Sequence, residues 1–255
     1  MPFPAQTIPS PALFTTTFNR PLLKGKLVAR YKRFFADVQL DNGELITAHC
    51  PNTGKMTGCA EAGFTAWVQP NDDPKRKLKY TLELVQNTQH EWIGVNTNRA
   101  NNIVKAALQQ GLVTELADIT HIACEVKYGL EKSKIDFLIT HADNSQTYLE
   151  VKSVTLQEPM TTIGYFPDTV SNRAHKHCRE LMHVLTESSD VPRRAVMLYL
   201  VQHSGITQVS PANHIDPLYA QLVAQAKSAG VEFLVYNCKI NEENIVINQQ
   251  LNFVT

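Results

Sequence analysis

Residues 148–153 read Tyr148-Leu149-Glu150-Val151-Lys152-Ser153, an alternating stretch that fits a β-strand. On a strand, Glu150 and Lys152 are two apart and share one face. Upstream, Asp136 sits in a second strand-like stretch, Ser133-Lys134-Ile135-Asp136-Phe137. Paired strands lie about 4.8 Å apart, so a hairpin would bring Asp136 beside Glu150. Two carboxylates that close repel each other unless a cation lies between them. Oxygen donors of this kind suit Mg²⁺ or Mn²⁺. A neighbouring lysine can orient a water and stabilise charge on a phosphate. We therefore expect Asp136, Glu150 and Lys152 as catalytic residues, with Asp136 and Glu150 as metal ligands. Glu125, on the polar face of the strand before, is either a third metal carboxylate or a partner of Lys127 or Lys134.

The texture around the motif changes near residue 96. Before it, short strands recur: residues 34–40, 45–49, 66–68, 80–85 and 92–95. Ala36, Val38 and Leu40 alternate with Asp37 and Gln39, and Asn42-Gly43 follows as a hairpin turn. Five strands in so short a span predict a small closed barrel. After residue 96 the order is α-β-β-β-α-β-α-β: helices at 101–110, 169–185 and 217–229, and strands at 122–128, 134–140, 147–154, 195–202 and 231–238. That predicts a mixed sheet flanked by helices. Asp168 or Thr169 is the expected cap of the middle helix. The expected division is an extended N-terminal arm over 1–19, a barrel domain over 20–96 and an α/β domain over 97–255.

Composition narrows the function. The 255 residues carry 24 basic and 24 acidic side chains, so any affinity for nucleic acid must come from local clusters. One exists: Arg20, Lys24, Lys26, Arg30, Lys32 and Arg33 occur without an intervening acid, and Tyr31, Phe34 and Phe35 interleave with them. Cations for phosphates beside aromatics for bases is how barrels of this size hold single strands. The competing reading makes Phe34 core and the lysines merely solvated. Arg173 and His177, four apart on the middle helix, share a face that either contacts DNA or is a solvated basic surface. His175 and His177 diverge on a helix, which argues against a zinc pair. Residues 51–57, Pro51-Asn52-Thr53-Gly54-Lys55-Met56-Thr57, lack the first glycine and the hydroxyl of a P-loop and read as a turn-rich loop. No run approaches the ~18–20 apolar residues that span a bilayer. The proline-rich start does not read as a signal peptide. Five scattered cysteines fit reduced thiols, so a cytoplasmic protein without a membrane partner is expected.

Asp136 followed by Glu150-Val151-Lys152, on the second and third strands of an α-β-β-β-α-β order, resembles the PD-(D/E)xK nuclease superfamily. Ile135 replaces the proline of that signature, and the helix at 101–110 lacks the glutamate many such nucleases use. The chain from Leu22 onward also resembles the sugar fermentation stimulation protein family. That likeness is carried by LLKGKLVARYKRFFADV (22–38), HCPNTGKM (49–56), GVNTNRAN (94–101), EVKYGLEKSKIDF (125–137), YLEVKSVTL (148–156), FPDTVSNRAHKHCREL (166–181) and HIDPLYAQLVAQAKSAGVEFL (214–234). It implies an OB-like five-stranded β-barrel followed by a PD-(D/E)xK nuclease-like α/β domain. It also implies non-specific DNA binding and a regulatory role in sugar, particularly maltose, metabolism. The positions it marks are Glu125, Asp136, Glu150, Lys152, Arg173 and His177. The expected function is sequence-independent DNA binding, through Lys24, Lys26, Arg30, Tyr31, Lys32, Arg33, Arg173 and His177, by a protein with a Mg²⁺- or Mn²⁺-dependent nuclease-like site. The alternative is a regulator that keeps the fold and binds without cleaving; an intact Asp136, Glu150 and Lys152 set speaks against it.

Overall fold

The computed structural model describes residues 16–255. The first barrel strands are β2 (Leu23–Tyr31), β3 (Phe35–Leu40) and β4 (Leu45–His49), preceded by a two-residue strand β1 (Thr16–Thr17). Then come β5 (Thr65–Pro70), β6 (Tyr80–Gln86) and β7 (Trp92–Gly94). The sheet runs β4-β3-β2-β5-β6-β7, and β4 meets β6 at His49 and Thr81, which closes a five-stranded barrel. Alternation explains it: Ala36, Val38 and Leu40 turn inward on β3, and Ile46 and Ala48 do so on β4. Gly43 supplies the left-handed φ of 90° that the β3–β4 turn needs. The basic strand β2 is a full barrel strand, whereas Trp92–Gly94, expected in the barrel, is appended outside it on β6.

The second domain holds α1 (Ala100–Gln109), β8 (Ile119–Tyr128), β9 (Ser133–His141), β10 (Gln146–Val154), β11 (Leu156–Gln157) and β12 (Ile163–Phe166). These lead to α2 (Asn172–Thr186), β13 (Arg193–Val201), β14 (Gln208–Pro211), α3 (Pro217–Ser228), β15 (Glu232–Ile240), β16 (Asn244–Gln250) and β17 (Asn252–Phe253). The main sheet is mixed, in the order β1-β16-β15-β13-β10-β9-β8, with β10, β13 and β15 parallel. β13 is buried from Ala195 to Val201, as a central strand covered on both faces should be. α1 packs on one face and α2 with α3 on the other. Trp67 and Leu84 of the barrel join the α1-side core, so the two domains share a hydrophobic cluster.

Other expectations change as well. Residues 1–15 of the arm lie outside the described residues, but Thr16–Thr17 pair with β16 and Phe18 is buried, so residues 16–18 are docked on the α/β domain. Ser171, not Asp168 or Thr169, caps α2, its hydroxyl accepting from the Ala174 N–H. A small four-stranded sheet, β11-β12-β14-β17, was not anticipated; its strands span only two to four residues, too short to show a period.

Candidate active site

β8, β9 and β10 place the motif. Their registers pair Cys124 with Phe137 and Leu149 with Phe137, so Glu125, Asp136 and Glu150 fall in one cross-strand row. The backbone ladder between β9 and β10 ends one position short of this row. There the Asp136 carboxylate takes over, Oδ2 accepting from the Val151 N–H at 2.8 Å. Its Oδ1 accepts from Asn101 Nδ2, also at 2.8 Å. Burial, then the Glu150 charge, pushes the Asp136 carboxyl up to about 6.

Glu150 is 1% exposed. Its Oε1 accepts from Lys152 Nζ at 2.7 Å and touches His177 Nδ1, while its Oε2 is buried with no hydrogen-bond partner. Burial opposes ionisation of Glu150, but Lys152 and His177 outweigh it and hold the carboxyl below its ordinary value. Lys152 Nζ also lies 2.8 Å from His177 Nδ1. Burial and the Lys152 charge lower the His177 pKa, which favours a neutral imidazole. A neutral Nδ1 serves only one neighbour at a time, accepting from Lys152 or donating to Glu150. With His177 neutral, the formal charge of Asp136, Glu150 and Lys152 together is −1.

These groups floor a cleft of about 680 Å³ between the domains. Thr53 and Gly54 line it from the barrel, Asn98 and Asn101 from just before and within the first turn of α1, and Asp168 and Arg173 from just before and within the first turn of α2. The barrel loop at 51–57 is fixed. Arg30 donates to the carbonyls of Asn52 and Gly54, each at 2.9 Å. Asp168 Oδ2 accepts from the Met56 N–H at 3.2 Å. A Cβ at residue 54 would crowd that carboxylate, so any larger residue there would push the Asp168 side chain off the Met56 N–H.

Asp136, Glu150 and Lys152 therefore come together as expected from sequence; other assignments change. Glu125 lines the same cleft, but its φ of 55° breaks the strand pleat and its exposed carboxylate lies 3.9 Å from Lys134, the pairing that the sequence offered as its alternative. Among the described residues, no three His, Cys, Asp or Glu side chains form a metal-binding group. His177, expected to contact DNA, is buried behind Glu150 and Lys152. Arg30 is spent on loop carbonyls. Arg179, on the same helix as Arg173, is bound to Glu131 through two nitrogens. Lys24 stands over the Trp67 ring and Lys26 donates to Thr65, both on the exposed side of β2. Lys32 and Arg33 occupy the β2–β3 turn with left-handed φ, and Tyr31 stacks on Phe35. Arg33 and Arg173 line the cleft. Asn101 was missed, because the motif led the search to a helical glutamate. His175 pairs with Asp216, linking α2 to the cap of α3. All five cysteines are free, and among the described residues no helix is long and apolar enough to cross a membrane.

An OB barrel fused through a shared core to a mixed-sheet α/β domain, with Asp136 and Glu150-x-Lys152 facing the seam, defines the class of protein. Residues 28–95 match the family description "SfsA N-terminal OB domain", and residues 98–244 match "Sugar fermentation stimulation protein RE domain". A sugar fermentation stimulation protein homolog of Pseudoalteromonas atlantica is 50% identical, across 93% of this chain and 99% of its own. One from Idiomarina loihiensis is 49% identical, across 91% and 97%. The chain belongs to the sugar fermentation stimulation protein family. Among solved structures, Pyrococcus furiosus SfsA in complex with Ca²⁺ superposes with a TM-score of 0.81, covering 95% of this chain and all of that one. At 22% identity that likeness establishes the shared fold.

Proposed function

We propose that the chain is a divalent-cation-dependent phosphodiesterase that binds DNA largely without regard to sequence, and that its part in sugar fermentation runs through nucleic acid. One observation carries the reading: Glu150 Oε2 is buried without a partner beside a second buried carboxylate, Asp136. An orphaned carboxylate oxygen in the interior is costly unless something binds it. Two carboxylates beside one lysine, a formal charge of −1 in all, fit a hard dication, and Mg²⁺ or Mn²⁺ matches such oxygen donors. The Pyrococcus furiosus relative, of the same fold, was solved with Ca²⁺, another oxygen-seeking dication.

Asp136 and Glu150 would hold the cation, and Asn101 and the Val151 N–H keep Asp136 turned toward it. The cation, when bound, supplies positive charge to a phosphate and acidifies a water. Lys152, fixed between Glu150 and His177, keeps its ammonium aimed at the floor, where it stabilises charge developing on a phosphate. Arg33 and Arg173 contact phosphates along the cleft walls. Free cysteines throughout fit a reducing, cytoplasmic setting.

The assay is cleavage of single-stranded, duplex and branched DNA with Mg²⁺ or Mn²⁺. We expect Asp136→Asn to lose at least about a thousandfold in rate, and Lys152→Ala to lose rate and some affinity. The pairing of the Glu125 carboxylate with Lys134 favours a second reading, a DNA-binding regulator without catalysis. Wild-type activity no higher than that of the variants on every substrate would leave that reading standing.

A further inference from the structure

We propose that the site takes an unpaired strand: a flexible single-stranded stretch, about two nucleotides of which sit between the two domains. This rests on the phosphodiesterase reading and narrows its substrate. The reacting groups lie deep, with Asp136 7%, Glu150 1% and Lys152 8% exposed. The cleft above them, at about 680 Å³, has the volume of a site that encloses a small molecule. Its walls are tied together. Besides the Asp168–Met56 contact, the Thr97 hydroxyl donates to the Pro51 carbonyl at 3.0 Å, and Cys59 Sγ lies 3.4 Å from the Thr155 carbonyl. A duplex, stiff over about 150 base pairs, bends one backbone toward such a floor only at a cost. A single strand bends without that cost.

The chemistry of the walls agrees. Among the described residues, Arg33 of the barrel and Arg173 of α2 make no ion pair, whereas Arg99, Arg179 and Arg194 are all paired with carboxylates. Arg33 and Arg173 line the cleft from different domains, two unpaired cations available to phosphates. Aromatic side chains accompany them. Tyr31 and Phe34, 40% and 46% exposed, flank the turn that carries Arg33, and Tyr165 lines the cleft itself. In a duplex the faces of the bases are taken up by stacking on their neighbours, whereas in a single strand they are open to aromatic side chains, and cations beside such faces are how single strands are held.

The test uses the full-length chain with Mn²⁺ and four substrates: a DNA single strand, an RNA single strand of the same sequence, a relaxed closed-circular duplex, and a linear duplex with a single-stranded overhang. Opening two base pairs costs about tenfold per step, so we expect the DNA strand and the overhang to be cut at least about a hundredfold faster than the closed circle. Cutting of the RNA strand as well would support the same inference, since the geometry is shared. A closed circle cut as fast as the single strand would overturn it and leave the phosphodiesterase reading intact. In parallel, Thr53, exposed on the cleft wall, is replaced by a photo-crosslinking p-benzoylphenylalanine. If nothing is cut, the phosphodiesterase reading fails, and crosslinking decides the substrate. Adducts with single strands but not with the closed circle support an unpaired ligand; equal adducts, or none, overturn it.

Discussion

Two clusters of buried charge lie near the seam between the domains, and they are built to opposite rules. In one, Glu83 Oε2 accepts from Arg99 Nε at 2.6 Å and from Asn96 Nδ2 at 2.9 Å. Arg99 also donates to Gln69 at 2.7 Å and lies over the Phe18 ring. One anion meets one cation, and the hydrogen bonds around them are made. In the other, two carboxylates share one lysine, one carboxyl is pushed up to about 6, and a buried oxygen has no partner. The first cluster ties the barrel to the start of α1. The second is unbalanced in a way that only a ligand corrects. Buried charge alone therefore marks neither structure nor function; the imbalance does.

The two clusters should differ most in stability. Arg99→Ala leaves Glu83 charged and buried without its partner, and should cost about 3–5 kcal/mol in chemical denaturation. Asp136→Asn removes a surplus charge instead, and should leave metal-free stability at pH 7 unchanged or raised. Equal losses in both variants would erase the distinction. pH sharpens it. An Asp136 carboxyl raised to about 6 when folded, against an ordinary 3.8, binds more protons in the folded state between those values. Stability of the metal-free protein should then fall as pH rises through that window, by on the order of 2–3 kcal/mol. His177, held below its ordinary value, contributes the opposite slope, so the readout is wild type minus Asp136→Asn at each pH. A difference that stays flat from pH 4 to 7 would contradict the surplus-charge account. The smallest effect belongs to the surface. Lys32 is exposed in the β2–β3 turn, and Lys32→Ala should weaken all DNA sequences alike, lowering the salt slope by about one.

The motif itself was legible because strands impose a period of two: Asp136, Glu150 and Lys152 could be placed on one face from spacing alone. The barrel was legible for the same reason. His177 was misassigned although a signal was present. With Ala174, Cys178 and Leu181 it forms a stripe spaced three and four apart, and that stripe is the buried face of α2. Reading it only against Arg173 put it on the wrong side. Arg30 was misread because nothing local shows that a guanidinium will cap carbonyls more than 20 residues away. Asn101 carries no periodic mark, and its role exists only once α1 packs near β9. Asp168 looked like a helix cap and instead meets the barrel loop, a contact between residues 112 apart. Spacing reveals what one element shows; contacts between distant elements emerge only from the fold.

The unbalanced pair of carboxylates is expected to hold a divalent cation. A crystal of the protein soaked in Mn²⁺ tests it through anomalous scattering. We expect a peak in contact with Asp136 and with Oε2 of Glu150, absent from Asp136→Asn crystals soaked in the same way. No peak at a saturating concentration, or one that persists unchanged in the variant, would contradict this expectation.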